Sequence, residues 1–372
     1  MTITITTTTL ILAAILLAAA VVTPMLNPFL RKPRMVEREG TPDVPPRFSV
    51  VLTVHDNAEQ ISRNLPMLLN QQYEGFEVIV VDESSNDDTA DQLKLLKASN
   101  PHLYTTFIPE SSHYLSRRKL ALTLGVKAAK NEWVVFTDID CVPDSPLWLQ
   151  TLARYTEQAD IVCGYTGYTD DTPAYWRFLR LQDNCTLLGR PYRYEGNCLA
   201  FKKQMFISQN GFLRNLRFLR GEYDFLVNEN YDTTIAVMTE ANGRMHQQQP
   251  SNKSWTDKQL CFMETRRHLS HTLPSRLLAF VDQAALHLNL CLQAGAVAYA
   301  ATMADWALMA AAIFCIILTT AIRLIVARSA MQAFDETIAL WKVPFFELRR
   351  AWTTTGLWLR HRRADKYDFI RK

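Results

Sequence analysis

Two aspartates one residue apart close the apolar run VVFTDIDCVPD (Val134–Asp144): Asp138 and Asp140. In an extended chain, residues i and i+2 leave the same face. Two like charges then stand side by side, and each raises the cost of ionising the other. A shared cation relieves that cost. Oxygen-only ligands point to Mg2+ or Mn2+, and Mg2+ commonly takes one or two carboxylates together with substrate phosphates. Asp138 and Asp140 are therefore the candidate metal ligands. A third acid, Asp82, ends another apolar run, FEVIVVD (Phe76–Asp82). The competing expectation for all three is that strand-end aspartates only cap the next turn. No glycine-rich phosphate loop of either common type occurs in the chain, so a bound phosphate has to be held by a metal and by side-chain cations.

These acids need elements to position them. FSVVLTV (Phe48–Val54) reads as a buried strand and is followed by a helix through ISRNLPMLLNQQ. FEVIVVD is a second strand, and SSNDDTADQLKLLK opens with capping residues before turning periodic. TTFIP is a short strand. SRRKLALTLGVKAAK (Ser116–Lys130) is a helix with Leu120, Leu124 and Ala128 on one face, and WVVFTDID is the next strand. Strands that alternate with helices predict an α/β fold with a mostly parallel, doubly wound sheet. Ligands of such sheets sit beyond the carboxyl ends of the strands, where Asp82, Asp138 and Asp140 would meet in one crevice.

The chain has 372 residues, 48% of them hydrophobic and 21% charged, with a formal net charge of +3. A near-neutral balance gives a nucleic-acid partner no support. The seven cysteines are scattered and include no CxxC pair, which argues against a disulfide framework or a zinc site and fits a reducing compartment. The two ends differ from the middle. Thr2–Leu26 carries no charge and is long enough to cross a bilayer. Basic residues follow it (Arg31, Lys32, Arg34, Arg38) and none precede it, unlike a secretory leader. A second apolar region, Leu277 to about Ala327, is too long for one crossing, and Asp305 interrupts it. Basic residues on both of its flanks, Arg276 before it and Arg323, Arg328, Arg349, Arg350, Arg360, Arg362 and Arg363 after it, require an even number of crossings. The expected organisation is an N-terminal anchor (1–30), a cytosolic block (46–275), a transmembrane pair (276–330) and an interfacial or cytosolic tail (331–372). The predicted location is the cytoplasmic membrane, with the N-terminus outside. The tail segment IALWKVPFFELRRAW mixes aromatic with basic residues, as interfacial segments do.

The order of the segments resembles the inverting family-2 glycosyltransferases, which have a GT-A (nucleotide-diphospho-sugar transferase) fold, and the likeness runs from about Phe48 to Thr272. SVVLTVHDN stands where that family has its first nucleotide-binding strand and turn, which implicates Val54 and His55. VIVVDESSNDDT resembles the second, whose acidic strand end recognises the nucleoside; here it is Asp82. SRRKLALTLGVKAAKNEWVVFTDIDCVPD resembles the run into the metal-binding DxD. YEGNCLAFKKQMFISQNGF resembles the acceptor-side segment, and GEYDFLVNE the acidic catalytic stretch. ETRRHLSH occupies the place of QxxRW in membrane members. The chain departs from the pattern at two points. Glu264 and His268 replace Gln and Trp of QxxRW, and Tyr223 separates Glu222 from Asp224 where two acids are usually adjacent.

The resemblance implies transfer of a sugar from a nucleotide diphosphate sugar, often a uridine diphosphate sugar, to a glycan or lipid-linked acceptor. Glu222 is the expected general base, with Asp224 the alternative. A metal on Asp140, helped by Asp138, would neutralise the leaving diphosphate. Arg266 or Arg267 would add bidentate phosphate contacts and Lys119 a point charge. Three other readings compete: a haloacid-dehalogenase-type phosphatase, a polysaccharide synthase that exports its product, and a non-catalytic nucleotide-sugar-binding membrane scaffold. Two strand–helix units precede the DxD and no GDxxxD-like pair follows it, which disfavours the phosphatase.

Overall fold

The structure is a computed structural model and describes residues 6–31, 44–110, 116–188, 191–271 and 273–369. The basic residues Lys32, Arg34 and Arg38 invoked for the first anchor lie outside the described residues. In chain order the elements are α1 (Thr7–Val22), β1 (Phe48–Val54), α2 (Ala58–Leu69), β2 (Phe76–Asp82), α3 (Thr89–Ser99), β3 (Leu103–Phe107), α4 (Arg117–Ala128) and β4 (Trp133–Phe136). There follow β5 (Cys141–Pro143), α5 (Trp148–Thr156), β6 (Ile161–Gly164), β7 (Thr166–Tyr168), α6 (Ala174–Leu187), β8 (Leu199–Lys202), α7 (Lys203–Ser208) and α8 (Glu222–Glu229). The last are β9 (Ile235–Met238), β10 (Met245–Gln247), α9 (Asn252–Thr265), α10 (Leu273–Thr302), α11 (Trp306–Phe334) and α12 (Val343–Arg363).

The chain divides into two compact units. One comprises residues 34–176, 187–271 and 357–372 and holds a seven-stranded sheet of order β3-β2-β1-β4-β8-β6-β9. The first four strands are parallel, β8 runs antiparallel to both its neighbours, and β6 and β9 are parallel. β1 is buried along its whole length, as a strand covered on both faces must be. Its side chains alternate between two cores. Val50 and Leu52 join Val78, Val80 and Val135 beneath α2 and α5; Val51 joins Ile79, Val81 and Val134 beneath α4. A Cβ at Gly125 of α4 would lie 2.3 Å from Val51 Cγ1, so this position has to be glycine for the helix to pack at its present distance from β1. A second, three-stranded sheet, β5-β10-β7, sits beside the carboxyl end of β4.

One strand expectation needs correction here. WVVFTDID is not strand throughout: β4 ends at Phe136, and Thr137–Asp140 form a turn into β5, closed by Cys141 N donating to Asp138 O at 3.0 Å. Leu120, Leu124 and Ala128 of α4 pack, partly buried, against the core, and the fully buried positions are Ala121, Leu122, Gly125 and Val126 together with Lys119. The other unit comprises residues 1–33, 177–186 and 272–356, so a stretch of α6 from the middle of the sequence belongs with it. Among the described residues it contains three helices long and apolar enough to cross a membrane, Thr7–Leu26, Leu277–Thr302 and Trp306–Phe334. Asp305 caps α11 by accepting from Leu308 N at 3.0 Å. The polar residues of α10 are internal to this unit: Asn289 and Gln293 both donate to Thr319 Oγ1 on α11, at 3.2 and 3.0 Å. Arg323, counted from sequence as a flanking charge, is a buried residue of α11 paired with Asp282 at 3.1 Å.

Candidate active site

The site grows from the carboxyl ends of β1, β2 and β4. Val54 and Asp82 face each other in register across β1 and β2. The turns that follow interlock. Asp82 Oδ1 accepts from Ser85 N (3.0 Å) and Ser85 Oγ (2.6 Å), and Ser85 Oγ in turn accepts from Asp56 N at 2.9 Å. Asp56, at φ +52°, accepts from Asn86 N at 2.7 Å. The His55 side chain is exposed, and its backbone N donates to Asn57 Oδ1. Val54, His55 and Asp82 thus share one rim, and side chains hold its backbone in place.

Asp138 and Asp140 stand in the turn after β4 and look in different directions. Asp138 Oδ1 accepts from Arg118 Nη2 and from the Tyr223 hydroxyl, the latter at 3.3 Å. Asp140 Oδ2 accepts from Gln247 Nε2 of β10 at 2.8 Å, while its Oδ1 is buried without a hydrogen-bond partner. Burial raises the pKa of Asp140, and the neighbouring Asp138 charge raises it further. Burial acts the same way on Asp138, but Arg118, with help from Lys258 and Arg220, outweighs it and holds that carboxyl below its ordinary value. A carboxylate oxygen shut away from water with nothing to accept from fits a cation. Among the described residues no group of three or more His, Cys, Asp or Glu forms a metal cage, so a cation held here would complete its shell from substrate and water.

Arg118 joins this acidic turn to α8. Its Nε lies 3.7 Å from Glu222 Oε1, and both atoms are otherwise without a hydrogen-bond partner. Burial disfavours the Arg118 charge, but Asp138, Tyr223 and Glu222 around it keep the guanidinium protonated. Glu222 opens α8 behind Gly221, whose φ of +94° turns the chain into the helix at low cost. Arg118, Asp138, Arg220, Glu222 and Lys258 line one pocket, walled by Tyr194, Tyr223 and Phe262.

Asp224 has a different setting. It is fully buried; Tyr194 N donates to Oδ1 at 3.0 Å and Arg266 Nε to Oδ2 at 3.1 Å. Burial pushes its pKa up against the pull of Arg266 and Arg193. Arg266 also donates through Nη2 to Glu195 Oε2 at 2.6 Å. Tyr223, which separates the two acids in sequence, stacks on Phe136 with ring centroids 5.9 Å apart.

The structure distributes the expected phosphate-binding cations differently from the sequence. Lys119 is buried beneath the loop that leads to α8, where its Nζ donates to Asn215 O (2.6 Å) and Phe218 O (2.7 Å). Arg267 is exposed and leans on Glu264 at 3.7 Å. Arg266 is engaged by Asp224 and Glu195. The cations acting on the Asp138 carboxylate are Arg118, Lys258 and Arg220. Arg118 and Lys119 are adjacent on α4; the first meets Asp138 and the second enters the core. Glu195, Gln247 and Lys258 gave no comparable signal, because each arrives from a remote segment. His268, at the Trp place of QxxRW, retains a ring contact, 4.8 Å from Phe218.

Comparison with known proteins bears on the fold that carries this site. Residues 49–220 match the family described as Glycosyl transferase family 2. An uncharacterized glycosyltransferase of Haemophilus influenzae is 19% identical over 148 residues, 40% of this chain and 42% of that protein. One from Rickettsia bellii is 26% identical over 123 residues, 33% of this chain and 17% of that protein. The chain thus matches less than half the length of either. A mannosyltransferase from Pyrobaculum calidifontis, solved in complex with GDP-Man and Mn2+, superposes with a TM-score of 0.53 at 18% identity, covering 84% of this chain and 98% of that one. In sequence, residues 49–220 of this chain match glycosyl transferase family 2, and in fold the chain is built on the GT-A plan.

Proposed function

We propose that the chain is a membrane-anchored glycosyltransferase that moves a sugar, with inversion, from a nucleotide diphosphate sugar to a glycan or lipid-linked acceptor. The observation that carries this reading is the linkage Asp140–Asp138–Arg118–Glu222. A cation-ready acidic turn at the carboxyl end of β4 is joined through one guanidinium to a second carboxylate on α8. The GDP-Man and Mn2+ bound by the Pyrobaculum enzyme support a nucleotide sugar and a divalent ion as the reagents.

The unpaired Oδ1 of Asp140, with Asp138, would hold Mg2+ or Mn2+. When bound, that ion supplies neutralising charge to the departing diphosphate. Arg118, Arg220 and Lys258 place further positive charge on the same side. Asp82 and the Val54–His55 rim receive the nucleoside. Glu222 takes the proton of the acceptor hydroxyl as that oxygen attacks the anomeric carbon and the bond to the diphosphate breaks. Its Oε1 has no hydrogen-bond donor within reach in the resting protein, so it is available to accept. Asp224 is a positioning residue: both its oxygens are committed, and it holds Arg266 beside Glu195.

Three apolar helices and the flanking basic residues support a multi-pass protein of the cytoplasmic membrane with its catalytic block in the cytosol. Purified full-length protein incubated with a panel of uridine, guanosine and thymidine diphosphate sugars, with nucleoside diphosphate release as the readout, tests the activity. Release from one donor and not the others is the expected result. Nucleotide binding without release from any donor would select the scaffold reading instead.

A further inference from the structure

We infer that α12 lies along the boundary between bilayer headgroups and acyl chains, its aromatic stripe among the chains and its basic side on anionic phospholipid. The inference rests on the reading that α1, α10 and α11 cross the membrane.

Two polar contacts mark opposite ends of the helical unit. At one end, Thr9 near the start of α1 donates to Asp305 in the α10–α11 turn at 2.6 Å. At the other, Asn27, just past the first apolar helix, donates to Glu347 of α12 at 2.8 Å, and Arg323 Nε donates to the other Glu347 oxygen, also at 2.8 Å. Asp305 and Arg323 are eighteen positions apart on or next to α11. At 1.5 Å per residue that is about 27 Å, close to the ~30 Å thickness of a hydrocarbon core. Trp306, half exposed at the first end, suits an interfacial level. If one end of the unit lies at one membrane surface, Glu347 therefore holds α12 at the level of the other.

The helix presents the right chemistry there. Its inner side is Val343 and Glu347, 1% and 2% exposed. Phe345 and Trp352, one heptad apart on roughly the opposite side, are 65% and 75% exposed, and Trp341 just before the helix is 68% exposed. Lys342 and Arg349 repeat the same heptad along one flank of that stripe. From 340 to 356 the one acid is Glu347, already paired inward. The exposed face of this segment therefore carries basic and no acidic residues of its own, which suits an anionic surface.

The test uses full-length protein in nanodiscs of phosphatidylcholine, with and without phosphatidylglycerol. Ile317→Cys, Trp352→Cys and Leu95→Cys, all at exposed sites, are spin-labelled in a background with Cys261 and Cys291, the non-buried thiols, changed to Ser. Collision with oxygen and with an aqueous nickel chelate reports depth. The expected order of nickel accessibility is Leu95→Cys highest, Trp352→Cys intermediate and Ile317→Cys lowest. Phosphatidylglycerol should lower the value at Trp352→Cys, since each basic side chain near an anionic surface is worth about fivefold in partitioning. A label at Trp352→Cys as nickel-accessible as at Leu95→Cys, with Ile317→Cys protected, overturns the inference and leaves the crossings standing. Protection at Trp352→Cys that ignores phosphatidylglycerol also overturns it. Nickel access at Ile317→Cys removes the crossing reading itself.

Discussion

Replacing Glu222 by Gln and Asp224 by Asn asks the two neighbouring acids for opposite responses. Glu222→Gln keeps the size of the side chain and removes its basicity. The Oε1 atom it alters has no hydrogen-bond donor, and its ion pair with Arg118 is long, at 3.7 Å. The folded state therefore loses little, and the melting temperature should stay close to that of the parent. Loss of a general base costs about 10²- to 10⁴-fold, equivalent to about 3–5 kcal/mol on the barrier. Asp224→Asn removes the charge from a contact that reaches Arg266 at 3.1 Å inside the protein. A hydrogen bond to a charged group contributes about 1.5–3 kcal/mol, which corresponds to a melting shift of roughly 3–12 °C in a unit of this size. Nucleoside diphosphate release and thermal unfolding, both measured on the full chain, separate the two effects. Glu222→Gln should fall in turnover with donor affinity unchanged, and Asp224→Asn should fall chiefly in stability. A fully active Glu222→Gln beside a stable but inactive Asp224→Asn would refute the division of roles.

Gly125→Ala should destabilise the protein by about 1–3 kcal/mol, because the new methyl collides with Val51; an unchanged unfolding midpoint would show that α4 can move off β1. Lys119→Met strands two backbone carbonyls and should also lower stability, by about 1–3 kcal/mol for each. Burial brings the Lys119 amine down to about 8, so the folded state binds this proton less tightly than the unfolded one. Its contribution is therefore least favourable below pH 8 and improves as pH rises from there towards the ordinary lysine value. The stability gap between parent and Lys119→Met should widen over that window, and a gap that narrows would reverse the sign. Reporter fusions after Arg38 and at Lys372 should both score cytosolic; an external score at Lys372 would leave one crossing, not two, in the second apolar region.

The parallel half of the sheet was readable because each strand is a continuous apolar run bounded by polar turns. β1 and β2 lie where FSVVLTV and FEVIVVD placed them. The acids that end β2 and follow β4 were readable for the same reason, since a charge after such a run has nowhere to go but the strand's carboxyl end. What sequence did not convey was the direction of single side chains. Lys119 and Arg118 are adjacent, and one residue of helix phase decides which enters the core and which reaches Asp138. The same holds for Glu222 and Asp224, two residues apart, of which one faces the pocket and the other Arg266. Gln247 on Asp140 and Glu195 on Arg266 are long-range contacts with no local pattern to announce them. The buried polar residues Asp282, Asn289 and Gln293 of α10 find partners in Arg323 and Thr319 of α11, which local sequence does not announce.

The acidic turn carries the central claim, and the most direct measurement is Mn2+-dependent binding of UDP and GDP to the parent and to Asp140→Ala, with turnover followed on the donor that the parent accepts. Asp140 lies in a turn and not in the packed sheet; its Oδ1 makes no hydrogen bond, and loss of the one that Gln247 donates to Oδ2 is offset by removing a buried charge from beside Asp138. Asp140→Ala should therefore unfold close to the parental temperature, bind nucleotide with no response to Mn2+, and release no nucleoside diphosphate. Near-parental turnover in Asp140→Ala, with metal dependence intact, would make the Asp138/Asp140 pair a turn cap and contradict the account.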